Sequence, residues 1–428
     1  MGKKKAVLIG INYPGTEAEL KGCVNDVSRM RTCLIQRYGF NDQDINVLID
    51  TDPSYTEPTG KNIRRALEDL VGFAEAGDEL FVHYSGHGFR LPAETGDDDD
   101  TGYDECIVPS DMNLITDDDF KELVCQVKDG CRITVVSDSC HSGGLISGAK
   151  EQIGDSTTFN RRDHHTITSK SSLSGFLKNS VKVTVRDAFE ARGIKIPSRR
   201  SRHNKPEDIV VVDEERYQGH RGYVKSKSLA LSTLIEILKQ RMGRDRVAVG
   251  KIRPALYDIF GDDASPKVKK FMKIIFNKLR LRHGGQGLGS SSGSGGILSA
   301  VGGLAIDFLK LKLENSGADY AKPAMETKVE STEEVYAGET NRLMPRNGIL
   351  LSACQTNETA ADASPYGNPS EAFGVFSNAI QSILNEFDGE VTNLEIVVNA
   401  RLLLEYQGFT QSPGLYCSDD YVNVPFVY

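Results

Sequence analysis

ELFVHYSGHG (79–88) and RITVVSDSCHSGG (132–144) decide how this chain is read. Each opens as a near-continuous apolar run of strand length and closes in a turn of small residues. A strand without polar alternation is covered on both faces, which is the habit of parallel sheets. Sites in such sheets form just beyond the carboxyl ends of the strands. The first of these two ends carries His87 and the second Cys140. A cysteine becomes a useful nucleophile beside a base, and the two residues lie 53 positions apart on strands that can be neighbours. His83 falls inside its strand pattern and reads as a packed sheet histidine. His141 adjoins Cys140, and successive strand side chains point to opposite faces. The other histidines, 164, 165, 203, 220 and 283, lie in a less regular stretch, which leaves His87 as the partner.

Working outward, KAVLIGIN (5–12) and INVLID (45–50) read as further strands, with a helix over 25–40 between them. Thr59 and Thr116 each precede a helical pattern as N-caps. The acidic first turn of DDDFKELVCQV suits a helix dipole. The pattern resumes at GILLSAC (348–354), with helices at 370–386 and 393–406 and a last strand at YVNVPFVY (421–428). The expectation is an α/β fold whose mostly parallel, six-stranded sheet is sandwiched by helices and interrupted by a long insertion. Residues 1–150 form the large region, 151–340 the linker insertion and 341–428 the small region that completes the sheet. Within the insertion, 161–205 hold 12 Lys/Arg against 3 Asp/Glu, and GGQGLGSSSGSGG (284–296) is flexible by composition. Helices are expected at about 229–240 and 265–282. The second is amphipathic and basic, suited to packing on the catalytic region, or otherwise to a calmodulin-type or membrane-surface role.

Composition excludes several classes. With 60 acids against 51 bases the 428-residue chain carries a net charge of −9, which argues against a nucleic-acid partner. No run of 18 apolar residues is present, so no membrane insertion is expected, and the N-terminus makes a poor secretory signal. Eight cysteines without a CxxC pair argue for free thiols in a reducing compartment, and a cytoplasmic location is expected.

Charge near the nucleophile points to a substrate. Asp138 lies two residues before Cys140 on the same strand face, and Asp26 opens the first helix at the same sheet edge. Two carboxylates there favour a cationic residue before the cut bond (P1). Residues 94–120 hold 11 Asp/Glu and no Lys or Arg. They form a solvated acidic loop or a set of hard oxygen ligands of the kind Ca²⁺ requires, without EF-hand spacing.

Taken together, HYSGHG, DSCHSGG, VLIGINYPG, GCVND, TGYDECIVP and LITDDDF resemble the metacaspases, relatives of the caspases and legumains. The intact order of large region, long linker and small region is similar to the type II metacaspases of plants. The resemblance implies a caspase-like (caspase–hemoglobinase) fold and a cysteine endopeptidase that cuts after Arg or Lys. It implies a latent form that calcium activates through self-cleavage, with a role in stress, wound or cell-death proteolysis. It makes Cys140 the nucleophile, His87 the general base, and the N–H groups of Gly88 and Cys140 the oxyanion hole. Cys23, Asp26, Ser85 and Asp138 match the S1 pocket. Asp104, Asp117 and Asp118 match a calcium site, with Asp97, Asp98, Asp99 and Asp100 as weaker additions. Ser147 stands where many members have a fourth acid. In GYVKSKSLALSTL, Lys225 matches the self-cleaved lysine, with Lys227 and Arg221 as rivals. The partners expected are protein or propeptide substrates with a basic P1, and the chain is expected to be monomeric. The alternative is a non-catalytic, calcium-responsive scaffold on the same fold.

Overall fold

The computed structural model describes residues 2–92, 103–140, 142, 145, 149–154, 223–243, 252–282, 348–355, 358–364 and 368–428. In chain order the large region gives β1 (Lys4–Gly10), α1 (Cys23–Gln36), β2 (Ile45–Ile49), α2 (Gly60–Gly72), β3 (Glu79–Ser85), β4 (Gly88–Pro92), β5 (Tyr103–Ile107), β6 (Ile115–Thr116), α3 (Asp117–Cys125) and β7 (Arg132–Asp138). β8 (Glu151–Ile153), β9 (Tyr223–Ser226), α4 (Leu231–Met242), α5 (Ile252–Phe260) and α6 (Pro266–Arg282) follow. The small region adds β10 (Gly348–Ser352), β11 (Ala361–Ser364), β12 (Phe373–Gly374), α7 (Val375–Glu386), α8 (Asn393–Gln407) and β13 (Gly414–Tyr416).

The central sheet has seven strands, in the order β2-β1-β3-β7-β10-β13-β8. From β2 to β10 every pairing is parallel, and β13 pairs antiparallel with both β10 and β8. The seventh strand is β8, a short edge segment just past Cys140. The strand expected at 421–428 is absent. That stretch holds the end of a single 3-10 turn and one isolated bridge at Pro425. Proline has no N–H for a ladder, and β13 takes the place in the sheet.

Alternation within the strands divides the core into two layers. Val7, Ile9, Leu80, Val82 and Val135 pack with Ile63, Leu67 and Leu70 of α2 and Phe120 of α3. Ala6, Leu8, Phe81 and Val136 pack with Val27, Met30 and Leu34 of α1 and with Ile380 and Leu403 of α7 and α8. Each such side chain contributes about 1.5–3 kcal/mol by its removal from water, and truncating Phe81 to Ala would cost about 3–5 kcal/mol. Helix starts are fixed locally. Thr59 accepts from the Asn62 N–H, and Thr116 and Thr392 form capping boxes with Asp119 and Glu395.

Two small sheets stand beside the carboxyl end of the central one: β4-β5-β6, and β12-β11-β9. The second joins the insertion strand β9 to the small region. Parallel register sets Gly10 beside Ser85 and Ser85 beside Asp138, so three strand ends finish level. The cleft opens there.

Candidate active site

Cys140 lies two residues past β7 and is fully buried. Its Sγ accepts the Ala360 N–H at 3.0 Å and lies 3.6 Å from the Ala360 carbonyl oxygen and 3.9 Å from Ser226 Oγ. His87 lies two residues past β3, and its Nε2 is 2.7 Å from the Ala18 carbonyl oxygen. A carbonyl can only accept, so Nε2 carries the proton and donates. That tautomer leaves a lone pair on Nδ1, which is buried and has no protein hydrogen-bond partner. Burial pushes the imidazole pKa down to about 4, so the ring is neutral at pH 7 and able to accept a proton.

The turn holding His87 is braced by two tyrosines. Tyr13 Oη accepts the His87 N–H at 3.0 Å and donates to the Val108 carbonyl, while Tyr84 Oη donates to the His87 carbonyl at 2.7 Å. Tyr13 itself sits at a φ of 50°, a conformation few non-glycine residues adopt. The Asp50 carboxylate holds it there by accepting the Asn12 and Tyr13 N–H groups at 2.9 and 2.6 Å. Next in the chain, Gly88 approaches so closely that a β-carbon there would collide with the Cys140 carbonyl, a spacing only glycine allows.

The insertion runs through this cleft as an extended strand. β9 pairs antiparallel with β11, setting Ser226 opposite Ala361 and Lys225 opposite Asp362. One residue beyond, the Lys227 N–H donates to the Ala360 carbonyl at 2.9 Å, and the Lys227 carbonyl accepts the Gly88 N–H at 2.8 Å. The Leu229 N–H then donates to the Gly88 carbonyl at 3.0 Å. The Lys227 side chain enters a closed pocket. Its Nζ is 3.1 Å from Asp138 Oδ1, 3.8 Å from Asp26 Oδ2, 2.9 Å from Ser85 Oγ and 3.0 Å from the Asp138 carbonyl oxygen. Burial alone would lower the pKa of this ammonium; Asp138, Cys23 and Asp26 outweigh it and raise the value. Conversely, burial pushes Asp26 up to about 7, against the pull of Lys227 and with a further push from Asp138.

The lysine in the pocket is therefore Lys227, the rival to the Lys225 that the resemblance favours. Lys225 projects to the rim, where its Nζ donates to the carbonyl oxygens of Glu17 and Glu19 at 3.0 and 2.9 Å. Residues two apart on a strand share a face, so composition could not separate them. The ladder register with β11 and the Gly88 bond do. Arg221 lies outside the described residues.

The profile described as Metacaspase, peptidase C14 domain matches residues 4–148. Metacaspase-4 of Arabidopsis thaliana is 57% identical over 426 residues, covering 99% of both chains. Metacaspase-7 and Metacaspase-6 of the same plant are each 51% identical, again over 99% of both chains. The chain belongs to the metacaspase family. It has the type II plant arrangement and is a cysteine endopeptidase.

In this metacaspase the acids matched to calcium binding meet the insertion. Asp104, fully buried, pairs with Arg253 of α5 at 2.7 Å and with Lys267 of α6. Lys267 Nζ also lies 3.0 Å from Asp118 Oδ2. Asp117 is half-buried, and its partial removal from water, followed by the neighbouring Asp104, raises its pKa well above the ordinary value. No three His, Cys, Asp or Glu side chains converge as a metal-binding cluster among the described residues. The donor set nevertheless fits a hard cation in its chemistry. It consists of carboxylate oxygens with mutual repulsion, and two insertion cations now neutralise them. Asp97, Asp98, Asp99, Asp100 and Ser147 lie outside the described residues.

Two pocket residues carried no sequence signal. A β-carbon on Gly374 would strike Asp138 Oδ2, Lys227 Nζ and Asp26 Oδ2, so this glycine forms the wall of the pocket. Its N–H donates to Asp26 Oδ2 at 2.8 Å, and the Ser377 N–H donates to Asp138 Oδ2 at 2.7 Å. Both acids of the large region are thus aimed by backbone donors of the small region. The other is Asp362, a single acid outside any motif. No described helix is long and apolar enough to cross a membrane.

Proposed function

We propose that this metacaspase is a latent endopeptidase that cuts after Lys or Arg, and that its insertion occupies the cleft as a tethered first substrate cut between Lys227 and Ser228. One observation carries this reading. A lysine ammonium lies against Asp138 and Asp26 while the carbonyl of the same residue accepts the Gly88 N–H. That combination is what a P1 residue requires. The side chain is read by charge, and the carbonyl is held at a donor that strengthens as negative charge develops on oxygen.

The chemistry follows from the atoms. Cys140 Sγ attacks the Lys227 carbonyl carbon, and its proton passes to His87 Nδ1. The resulting oxyanion is held by the Gly88 N–H together with that of Cys140. His87 returns the proton to the Ser228 nitrogen as the C–N bond breaks. Water, with His87 again taking its proton, then cleaves the Lys227 thioester and frees Cys140.

Latency rests on the same contacts. Cys140 Sγ is held by the Ala360 N–H, and a tethered segment competes with other substrates at high effective concentration. Calcium, when bound, supplies a double positive charge to Asp104, Asp117 and Asp118. That charge would compete with Arg253 for Asp104 and with Lys267 for Asp104 and Asp118, weakening the ion pairs through which α5 and α6 hold the catalytic region.

Incubating the full chain with and without calcium chloride and sequencing the new N-termini tests the reading. The expected fragment begins at Ser228 and appears with activity on peptides ending in Lys or Arg. Efficient cleavage after Asp, or full activity on a protein substrate while the chain stays intact, would overturn it.

A further inference from the structure

Asp362 sits in the middle of β11, fully buried, level with Lys225 of β9 on one side and Gly374 of β12 on the other. Its side chain leaves the small region altogether. Oδ2 accepts the Lys21 N–H at 2.8 Å and Oδ1 the Gly22 N–H at 2.9 Å. These amides immediately precede α1, whose N-terminal glycine offers no side-chain cap of its own. Asn12 Oδ1 takes the next two amides, Cys23 and Val24, at 3.1 and 3.4 Å. The start of α1 is therefore held by two side chains, one of them from 340 residues away.

α1 carries Cys23 and Asp26. Asp26 Oδ2 in turn accepts the Gly374 N–H from β12, the strand paired with β11. A closed ring results. It runs from Asp362 to residues 21–22, along α1 to Asp26, across to Gly374, and back through the β11–β12 ladder to Asp362. The fit is tight, since a β-carbon on Gly22 would collide with Asp362 Oδ1 and the Phe373 backbone. Asp362 is also among the carboxylates whose charge favours the Lys227 ammonium.

We propose that Asp362 is a positioning residue for the P1 pocket, fixing Asp26 and the wall at Gly374 relative to the strand that pairs with substrate and adding a third negative charge to the pocket's field. The inference rests on the reading of that pocket as the P1 site. Burial without a role in binding would make Asp362 a packing acid, and the two roles separate experimentally. Asp362→Asn keeps the volume and one acceptor but removes the charge and one amide partner.

The test uses the calcium-treated full chain with peptides bearing Lys or Gln at P1. The rate of Cys140 alkylation by iodoacetamide, which has no P1 group, serves as an internal measure of the nucleophile. For Asp362→Asn, KM for the Lys peptide should rise about tenfold, with kcat and the alkylation rate within twofold of the parent. Gly22→Ala, pressing on the same clamp from α1, should move KM in the same direction. An unchanged KM, or a uniform fall in kcat, alkylation rate and thermal midpoint with KM unaltered, would overturn the proposal. A parent enzyme indifferent to Lys against Gln would instead refute the pocket reading on which it rests.

Discussion

Lys227 Nζ and Asp138 Oδ1 are 3.1 Å apart, and neither side chain is exposed. Removing one member of a buried ion pair typically costs about 3–5 kcal/mol, because the other is left charged and unsolvated. Lys227→Ala should therefore destabilise the latent form and open the cleft. It should also abolish the fragment that begins at Ser228, whereas Lys225→Ala, which removes only contacts at the rim, should leave that fragment in place. Intact-mass analysis after calcium addition distinguishes them, and a dominant fragment beginning at Ser226 would assign the bond to Lys225 instead.

Cys140→Ala should leave the fold and the bound insertion intact but eliminate turnover and self-cleavage, because a methyl group cannot attack a carbonyl. His87→Ala should lower kcat by at least about 10²-fold, the usual scale for a positioned acid–base group. Peptide hydrolysis by purified variants is the measurement, and appreciable turnover by the Cys140→Ala protein would remove it as nucleophile.

Gly374→Ala adds one methyl group among Asp138, Asp26 and the P1 ammonium. Overpacking of this kind costs about 1–3 kcal/mol, so kcat/KM for Lys and Arg peptides should fall by roughly 5- to 150-fold on that scale. Iodoacetamide should still alkylate Cys140 at close to the parent rate. An undiminished kcat/KM would mean that the pocket wall yields.

The elevated Asp26 pKa gives a pH prediction. Its ordinary value lies near 4, and in the folded chain it is raised to about 7. That value holds with Lys227 in the pocket, whose charge lowers it, so in an emptied pocket Asp26 takes up its proton at a higher pH still, and an incoming P1 ammonium then meets one fewer facing charge. The kcat/KM for Lys peptides should therefore decline as pH falls through neutrality, and Asp26→Asn should flatten that limb at a lower plateau. Parent and variant pH–rate profiles that superimpose would assign the limb elsewhere.

Lys267 bridges Asp104 and Asp118, so calcium bound there as proposed would have to displace it. In a Cys140→Ala background, which keeps the chain uncut, Lys267→Met should tighten calcium binding by about tenfold, or about 1.4 kcal/mol, as measured by titration calorimetry. Unaltered affinity would place the ion away from Asp104 and Asp118.

The parts legible in the sequence were those with a repeated pattern or a cap. β3 follows from its near-continuous apolar run, and α2 and α3 from Thr59 and Thr116. What escaped depended on distant partners. α5 is hidden in the sequence by Pro254, ordinarily a helix breaker, which here is the third residue of the helix, within the first turn where proline is tolerated. YVNVPFVY has the composition of a strand, but Pro425 cannot complete a ladder, and GLY at 414–416 is too short to announce one. Asp138 and Asp26 can be paired from the sequence, one at a strand end and the other on the helix that starts at the same sheet edge. Asp362 and Gly374 are a single acid and a single glycine, and their place follows only from the small region folding back against α1.

Gly88 offers its N–H to Lys227 and its carbonyl to Leu229, while β11 takes the strand from 223 to 226. Every one of these bonds demands a free main-chain partner on the bound segment. A helix has already spent those groups internally, and an inner strand of a sheet has spent them on its neighbours. Natively folded proteins are therefore open to this cleft only at loops, tails and unpaired edges. An enzyme that reads extended backbone this way nicks a folded target at a few points and releases sizeable pieces rather than amino acids.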